Sequence, residues 1–185
     1  LIAALGLLMV PRENIAAIKM VGVGASGASL AISLWLLFSF DTTNAEMQFV
    51  QMLHWVPALH INYLVGVDGI SLWMVVLTAF LGLIAIIFSF TQKEGLRHFV
   101  ALMLALEAGT LGVFLALDTI LFYVFWELML VPTYFLIGIW GEGRRIYATM
   151  KFVIFTLVGS LLMLVAILSL TMIHYGATHD VTFDL

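Results

Sequence analysis

The sequence predicts an all-α polytopic membrane protein, and three observations carry that prediction. Of the 185 residues, 64% are hydrophobic and only 10% are charged, against roughly 45–50% and about 25% in a soluble domain. The mean hydropathy is +1.18. The apolar residues fall in long unbroken runs, and in lipid only helices and closed barrels satisfy their own backbone. Runs of this length exceed a barrel strand. The same figures exclude a soluble domain, a disordered tail and a nucleic-acid binder, which needs a basic surface. Seven Lys and Arg against eleven Asp and Glu leave no polybasic lipid-binding stretch. With no cysteine there is no disulfide framework, thiolate metal site or cysteine nucleophile.

The elements follow in order. Residues 1–10 form an apolar run ending at Pro11. That is too short to cross a bilayer, which takes about 20 residues. It is read as the tail of a truncated first helix rather than a signal peptide, since it lacks a basic n-region. Five full spans are expected at 20–40, 70–91, 99–117, 119–140 and 149–174. The whole chain, 1–185, reads as one transmembrane domain. Gly22, Gly24, Gly27 and the small residues among them permit close helix approach. No strand precedes these glycines, so they are not a dinucleotide fingerprint.

Loop charge sets the orientation. Arg12, Lys19, Lys93, Arg97, Arg144, Arg145 and Lys151 all lie in the alternate segments 11–19, 92–98 and 141–151. The opposite segments, 41–67, the turn at 118 and 176–185, contain no Lys or Arg, and six acids, Asp41, Glu46, Asp68, Asp118, Asp180 and Asp184, sit on that side. The positive-inside rule puts the basic side in the cytoplasm, matrix or stroma. Segment 41–67 is expected to be an outer loop with Trp55 and Tyr63 as interfacial aromatics. Its His54 and His60 have no carboxylate beside them and make a poor metal site. Asp68 and Ser71 suit a helix cap, and Gly69 a sharp bend into the next helix.

Two acids lie inside apolar runs, Glu107 and Glu127. A charge at mid-span costs about 2.5–3.5 kcal/mol on insertion scales, so such residues are functional candidates. Glu107 lies eleven residues before the turn at Asp118 and Glu127 nine after it. At 1.5 Å per residue both sit about 14–16 Å deep, on adjacent helices. The two carboxylates are therefore expected to approach one another or share a hydrated cavity, and to exchange protons near neutral pH. Pro132 denies a hydrogen bond to the carbonyl of Leu128 and loosens the helix beside Glu127. Lys151, one turn from Tyr147, reads either as a snorkelling cation or as a further relay member. His174 is placed at the outer interface. No phosphate-binding loop, Ser/His/Asp arrangement or haem-type His pair is present.

The run Leu121-Phe122-Tyr123-Val124-Phe125-Trp126-Glu127-Leu128-Met129-Leu130-Val131-Pro132 resembles a known family. Ile139-Trp140-Gly141, the stretch Arg144 to Phe152, and Gly66-Val67-Asp68-Gly69-Ile70-Ser71-Leu72 fit it too. This family is the antiporter-like proton-translocating subunit M of respiratory complex I, called subunit 4 in mitochondria. The resemblance covers residues 55–185, and the first 50 residues match in hydropathy. It implies about fourteen helices, with two inverted five-helix repeats. It also implies that Glu127 pairs with a lysine on the seventh helix, and that Glu107 occupies an acidic position on the fourth. The lysine helices and second repeat are not in this sequence, so it is expected to be an N-terminal fragment unable to form a complete proton channel alone.

NADH, FMN, iron–sulfur clusters and quinone are expected in partner subunits and no cofactor in this chain. The implied partners are other membrane-arm subunits, the bilayer and protons, with no nucleic acid. The implied location is the bacterial inner membrane, ahead of mitochondrial or thylakoid membranes. An Mrp-type Na⁺/H⁺ antiporter subunit, a membrane-bound hydrogenase subunit and a structural scaffold are the alternative readings.

Overall fold

A computed structural model describes residues 1–44, 46–56, 61–92, 94–178 and 182–183. His60, Lys93, Asp180 and Asp184 lie outside the described residues. The order is α1 (Ile2–Leu7), α2 (Ile15–Ser39), β1 (Gln48–Val56), β2 (Ile61–Val67), α3 (Ser71–Phe88) running into a 3₁₀ turn (Ser89–Thr91), α4 (Leu96–Leu115), α5 (Thr119–Trp140) and α6 (Arg145–Thr178). The five longest helices, α2 to α6, are each long and apolar enough to cross a membrane, as the five apolar runs predict.

The helix ends have local causes. The Asn14 side chain accepts from the Ala17 N–H at 3.0 Å and caps α2. Gly95, at φ 67°, turns the chain into α4; a Cβ there would lie 3.1 Å from the Trp140 ring. Asp118 caps α5, accepting from the Leu121 N–H at 2.8 Å, and is fully buried.

At α3, Asp68 Oδ1 accepts from the Ser71 N–H at 2.6 Å and the Ile70 N–H at 3.2 Å, while Ser71 Oγ accepts from the Asp68 N–H at 3.0 Å. This reciprocal bonding is the expected cap. Gly69 departs from expectation: it is exposed, has room for a Cβ and does not adopt positive φ, so the bend makes no use of its freedom. The Ser71 N–H, then the Ser71 hydroxyl, hold the Asp68 carboxyl below its ordinary value of 3.8. The folded state therefore binds this proton more weakly than the unfolded chain. The cap's contribution is complete above the ordinary value and disappears as pH falls through the lower folded one. Asp68→Ala is expected to cost about 1 kcal/mol. Thermal melts in detergent should show wild type converging on this variant only below about pH 4.

Segment 41–67 was expected to be a plain loop. Instead β1 and β2 pair antiparallel, with His54 opposite Asn62 and Met52 opposite Leu64. The ladder is irregular between Gln48 and Gln51, where Phe49 takes φ 54°. Nearly all of β1 is exposed, so it lacks the alternation by which a half-buried strand is read from sequence.

The hairpin is bound to the turn between α4 and α5. The Leu117 N–H donates to the Leu64 carbonyl at 2.9 Å, and the Asn62 N–H donates to Asp118 Oδ2 at 3.2 Å. The Thr119 N–H donates to the Phe183 carbonyl at 2.9 Å, bringing the residues after α6 to the same end. At the other end Trp140 Nε1 donates to the Glu94 carbonyl at 3.0 Å, and Arg97 Nη1 to the Val10 carbonyl at 3.0 Å. The acidic and basic segments thus gather at opposite ends, as the alternation of loop charge requires.

The core lies where α1 to α4 meet. Ala4 and Leu7 of α1, Ile18 of α2, Ile86 of α3, and Val100, Ala101 and Leu104 of α4 form one buried cluster. Gly22 brings α2 close: a Cβ there would lie 2.8 Å from Val100 Cγ1 and 3.3 Å from Ile86 Cγ2. The close approach expected of the small-residue stretch is thus made at Gly22, while Gly24 and Gly27 have nothing within 4 Å of a Cβ. By contrast α6 is exposed along most of its length.

Candidate functional site

Glu107 is 6% exposed, and both carboxylate oxygens are buried with no hydrogen-bond partner among the described residues. It points from α4 into the core beside α2 and α3. Gly82 of α3 makes the room: a Cβ at that position would come within 2.7 Å of Glu107 Cδ and Oε2. From α2, Ser26 and Ser29 lie within electrostatic reach of the carboxylate. Ser26 is fully buried, and its hydroxyl has no hydrogen-bond partner among the described residues, while Ser29 donates to the Ala25 carbonyl at 3.3 Å. Isolated polar groups are costly to bury, so a carboxyl against a glycine notch and two hydroxyls is an unusual grouping for an apolar bundle.

Glu127 is half-buried on α5, and its Oε1 has no hydrogen-bond partner among the described residues. Tyr123, one turn earlier on the same face, interacts with both Glu127 and Ser160 of α6. Ser160 is buried and donates to the Leu157 carbonyl at 3.0 Å. Glu127, Tyr123 and Ser160 thus line the side of α5 that meets α6.

The structure does not pair the two acids as the hairpin geometry predicted. The α4–α5 contact runs through Gly109 and Gly112, which admit Met129 and Phe125. Glu127 lies two residues from each of those side chains, about 200° round the helix. Glu107 is likewise two residues from Gly109. Each carboxyl is therefore turned away from the α4–α5 seam, one toward α2 and α3 and the other toward α6. Equal depth on neighbouring helices does not fix rotation. The glycines do, because their missing side chains select the face that closes.

The remaining candidates fall as follows. Pro132 is buried inside α5, which continues through it to Trp140; Thr133 Oγ1 donates to the Met129 carbonyl at 2.7 Å beside it. Lys151 is exposed, with Nζ 5.2 Å from the centroid of the Tyr147 ring, an arrangement that suits a snorkelling cation better than a partner for Glu127. His54 Nδ1 lies 3.1 Å from Asn62 Oδ1 across the hairpin. Sequence reasoning missed Ser26, Ser29 and Gly82 around Glu107, and Ser160 beside Glu127. Only Tyr123 carried a signal, its i, i+4 spacing to Glu127.

A bundle of five apolar spans defines a polytopic integral membrane protein, and acids set within such spans are candidate functional residues. A family described as NADH:quinone oxidoreductase/Mrp antiporter, TM, matches residues 116–184, which include Glu127, Pro132 and Lys151 but not Glu107. The chain is 39% identical over 165 residues to "F(420)H(2) dehydrogenase subunit M" of Methanosarcina mazei, covering 89% of this chain and 33% of that protein. It is 43% identical over 164 residues to "NADH-quinone oxidoreductase subunit M" of Rhodobacter capsulatus, covering 89% and 31%. Among solved structures it resembles a chain of respiratory complex I from Thermus thermophilus, with TM-score 0.80 and 30% identity over 98% of this chain and 35% of that one. The chain is similar to the subunit M proteins of NADH:quinone oxidoreductase, and the resemblance read from its motifs is borne out. It spans about a third of the length of these relatives.

Proposed function

We propose that the chain is part of a membrane-arm subunit of an NADH:quinone oxidoreductase, and that it moves protons while other subunits carry the electrons. The observation that carries this reading is Glu127, set within α5 beside Tyr123 and inside the stretch that matches the family. A carboxyl held among helices can accept and release a proton without exposing a charge to lipid. Charge movement in a neighbouring subunit alters the proton affinity of Glu127 and its lysine partner and drives release at the acidic side. Tyr123 and Ser160 supply hydroxyls along the α5–α6 side of that carboxyl. Glu107, in its separate polar notch, tunes the same helix bundle.

The partners are other membrane-arm subunits, and NADH, FMN, iron–sulfur clusters and quinone belong to other subunits of the complex. The membrane is the bacterial plasma membrane, with the basic segments in the cytoplasm. A second reading, supported by the Methanosarcina mazei relative's name, replaces NADH with reduced coenzyme F420 as electron source and leaves the role of this chain unchanged. Purified complex assayed with each donor separates the two. The translocation proposal is tested by Glu127→Gln in the assembled complex, where proton movement per electron should collapse. Normal pumping after neutralising both Glu107 and Glu127 would favour a scaffold instead, and Na⁺-dependent proton flux without an electron donor would favour an Mrp-type antiporter.

A further inference from the structure

We propose that the basic end of this chain holds one anionic phospholipid, its phosphate in a cationic cleft and an acyl chain in an adjoining apolar groove. The sequence contains no polybasic run, yet the fold assembles one in space. A cleft of about 520 Å³ opens between the start of α2, the turn after α3 and the start of α4, with Arg12, Lys19, Arg97 and His98 in its wall. Lys19 Nζ lies 5.0 Å from the centroid of the Phe90 ring, which also lines the cleft. Arg97 is fixed by two bonds from Nη1, to the carbonyls of Leu8 at 3.2 Å and Val10 at 3.0 Å, and its Nη2 lies 3.2 Å from His98 Nε2. Lys19 and Arg97 stand near the ends of membrane-spanning helices, where lipid phosphates lie.

A second cleft of about 410 Å³ adjoins the first, and His98 lines both. Its wall is almost wholly apolar, with Leu5 of α1, Leu8 just after it, Leu102 and Ala105 of α4, and Phe135 of α5. From His98 to Ala105 it descends about 10 Å along α4, away from the basic end. A cationic pocket at headgroup level joined to a hydrocarbon groove matches one chemical class, a phosphodiester bearing acyl chains. Three cations around one cleft favour a lipid of net negative charge over a zwitterionic one, whose own ammonium they repel. A free phosphate would use only the first cleft.

The experiment places the full-length subunit, in its complex, in phosphatidylcholine nanodiscs doped with phosphatidylglycerol. Native mass spectrometry then measures the lipid that stays bound. Phosphatidylglycerol should be enriched over the bulk mixture. Arg12→Gln and Lys19→Gln should each lower that enrichment about fivefold. Leu5→Trp, which fills the apolar groove, should lower it as well. Leu5 is 64% exposed and Arg12 is exposed, so neither change disturbs the core, and an unchanged melting temperature checks this. Added inorganic phosphate should leave the bound lipid in place. The proposal is overturned by binding at the bulk ratio, by enrichment that either the charge variants or Leu5→Trp leave unchanged, or by displacement with phosphate. Protein density in the apolar groove of the assembled subunit would overturn it equally.

Discussion

Glu127→Gln should leave the complex assembled and lower proton translocation on the order of a hundredfold, the low end of what a positioned proton-transfer group contributes. Glutamine keeps the length and polarity of the side chain and can still face Tyr123 and Ser160, so packing between α5 and α6 is preserved. It cannot ionise, so the proton has no carboxyl to occupy within the span. Inverted membrane vesicles energised with NADH report the pH gradient, electron transfer is followed in parallel, and a native gel checks assembly. The informative quantity is protons moved per electron. Glu127→Asp, a shorter carboxylate, should recover part of it. Wild-type pumping in a fully assembled Glu127→Gln complex would end the proton-carrying role assigned to this residue.

Gly112→Leu is expected to be the most damaging single change to the fold. A Cβ at Gly112 already overlaps the Phe125 ring, and at Gly109 it would lie 2.8 Å from Met129 Cγ. Neither ring nor backbone can withdraw without opening the α4–α5 seam. Overpacking of this kind costs about 1–3 kcal/mol. The larger consequence is rotational, because the seam fixes which way Glu107 and Glu127 point. Loss of assembled complex, or a melting temperature several degrees lower in detergent, is the expected result. Gly69→Leu is the control: that glycine has open space and no positive φ and should tolerate the change. Equal stability of the Gly112 and Gly69 variants would show that the α4–α5 contact does not set the bundle.

The spans were legible because lipid imposes a single demand on every residue in them. α5 begins and ends where its apolar run does, at Thr119 and Trp140. Asp118 was readable as a turn, and its cap follows from residue type. The hairpin was not readable, since β1 is exposed along nearly its whole length and buries no alternating face. The candidate acids were conspicuous for the cost of placing them in hydrocarbon. Their surroundings were hidden, because Ser26 and Ser29 look like ordinary small packing residues and Gly82 like a helix glycine among others. Lys151 remained open in the sequence between two roles; its exposure and the nearby Tyr147 ring support the snorkelling one.

Taken alone, the sequence determined what does not depend on rotation: the number of spans, which ends share a side, and that Glu107 and Glu127 lie at similar depth. Hydrophobicity and loop charge act along the chain and along the membrane normal, so they are additive and can be read off residue by residue. The tertiary structure decided everything that depends on azimuth. Gly109 and Gly112 close on Phe125 and Met129, Gly82 opens a notch for Glu107, and Tyr123 and Glu127 turn toward Ser160. An apolar helix of this kind carries little difference between its faces, so only the fit of one surface against another selects a rotation. The separation of the two carboxyls and the gathering of Arg12, Lys19 and Arg97 into one cleft both follow from that selection.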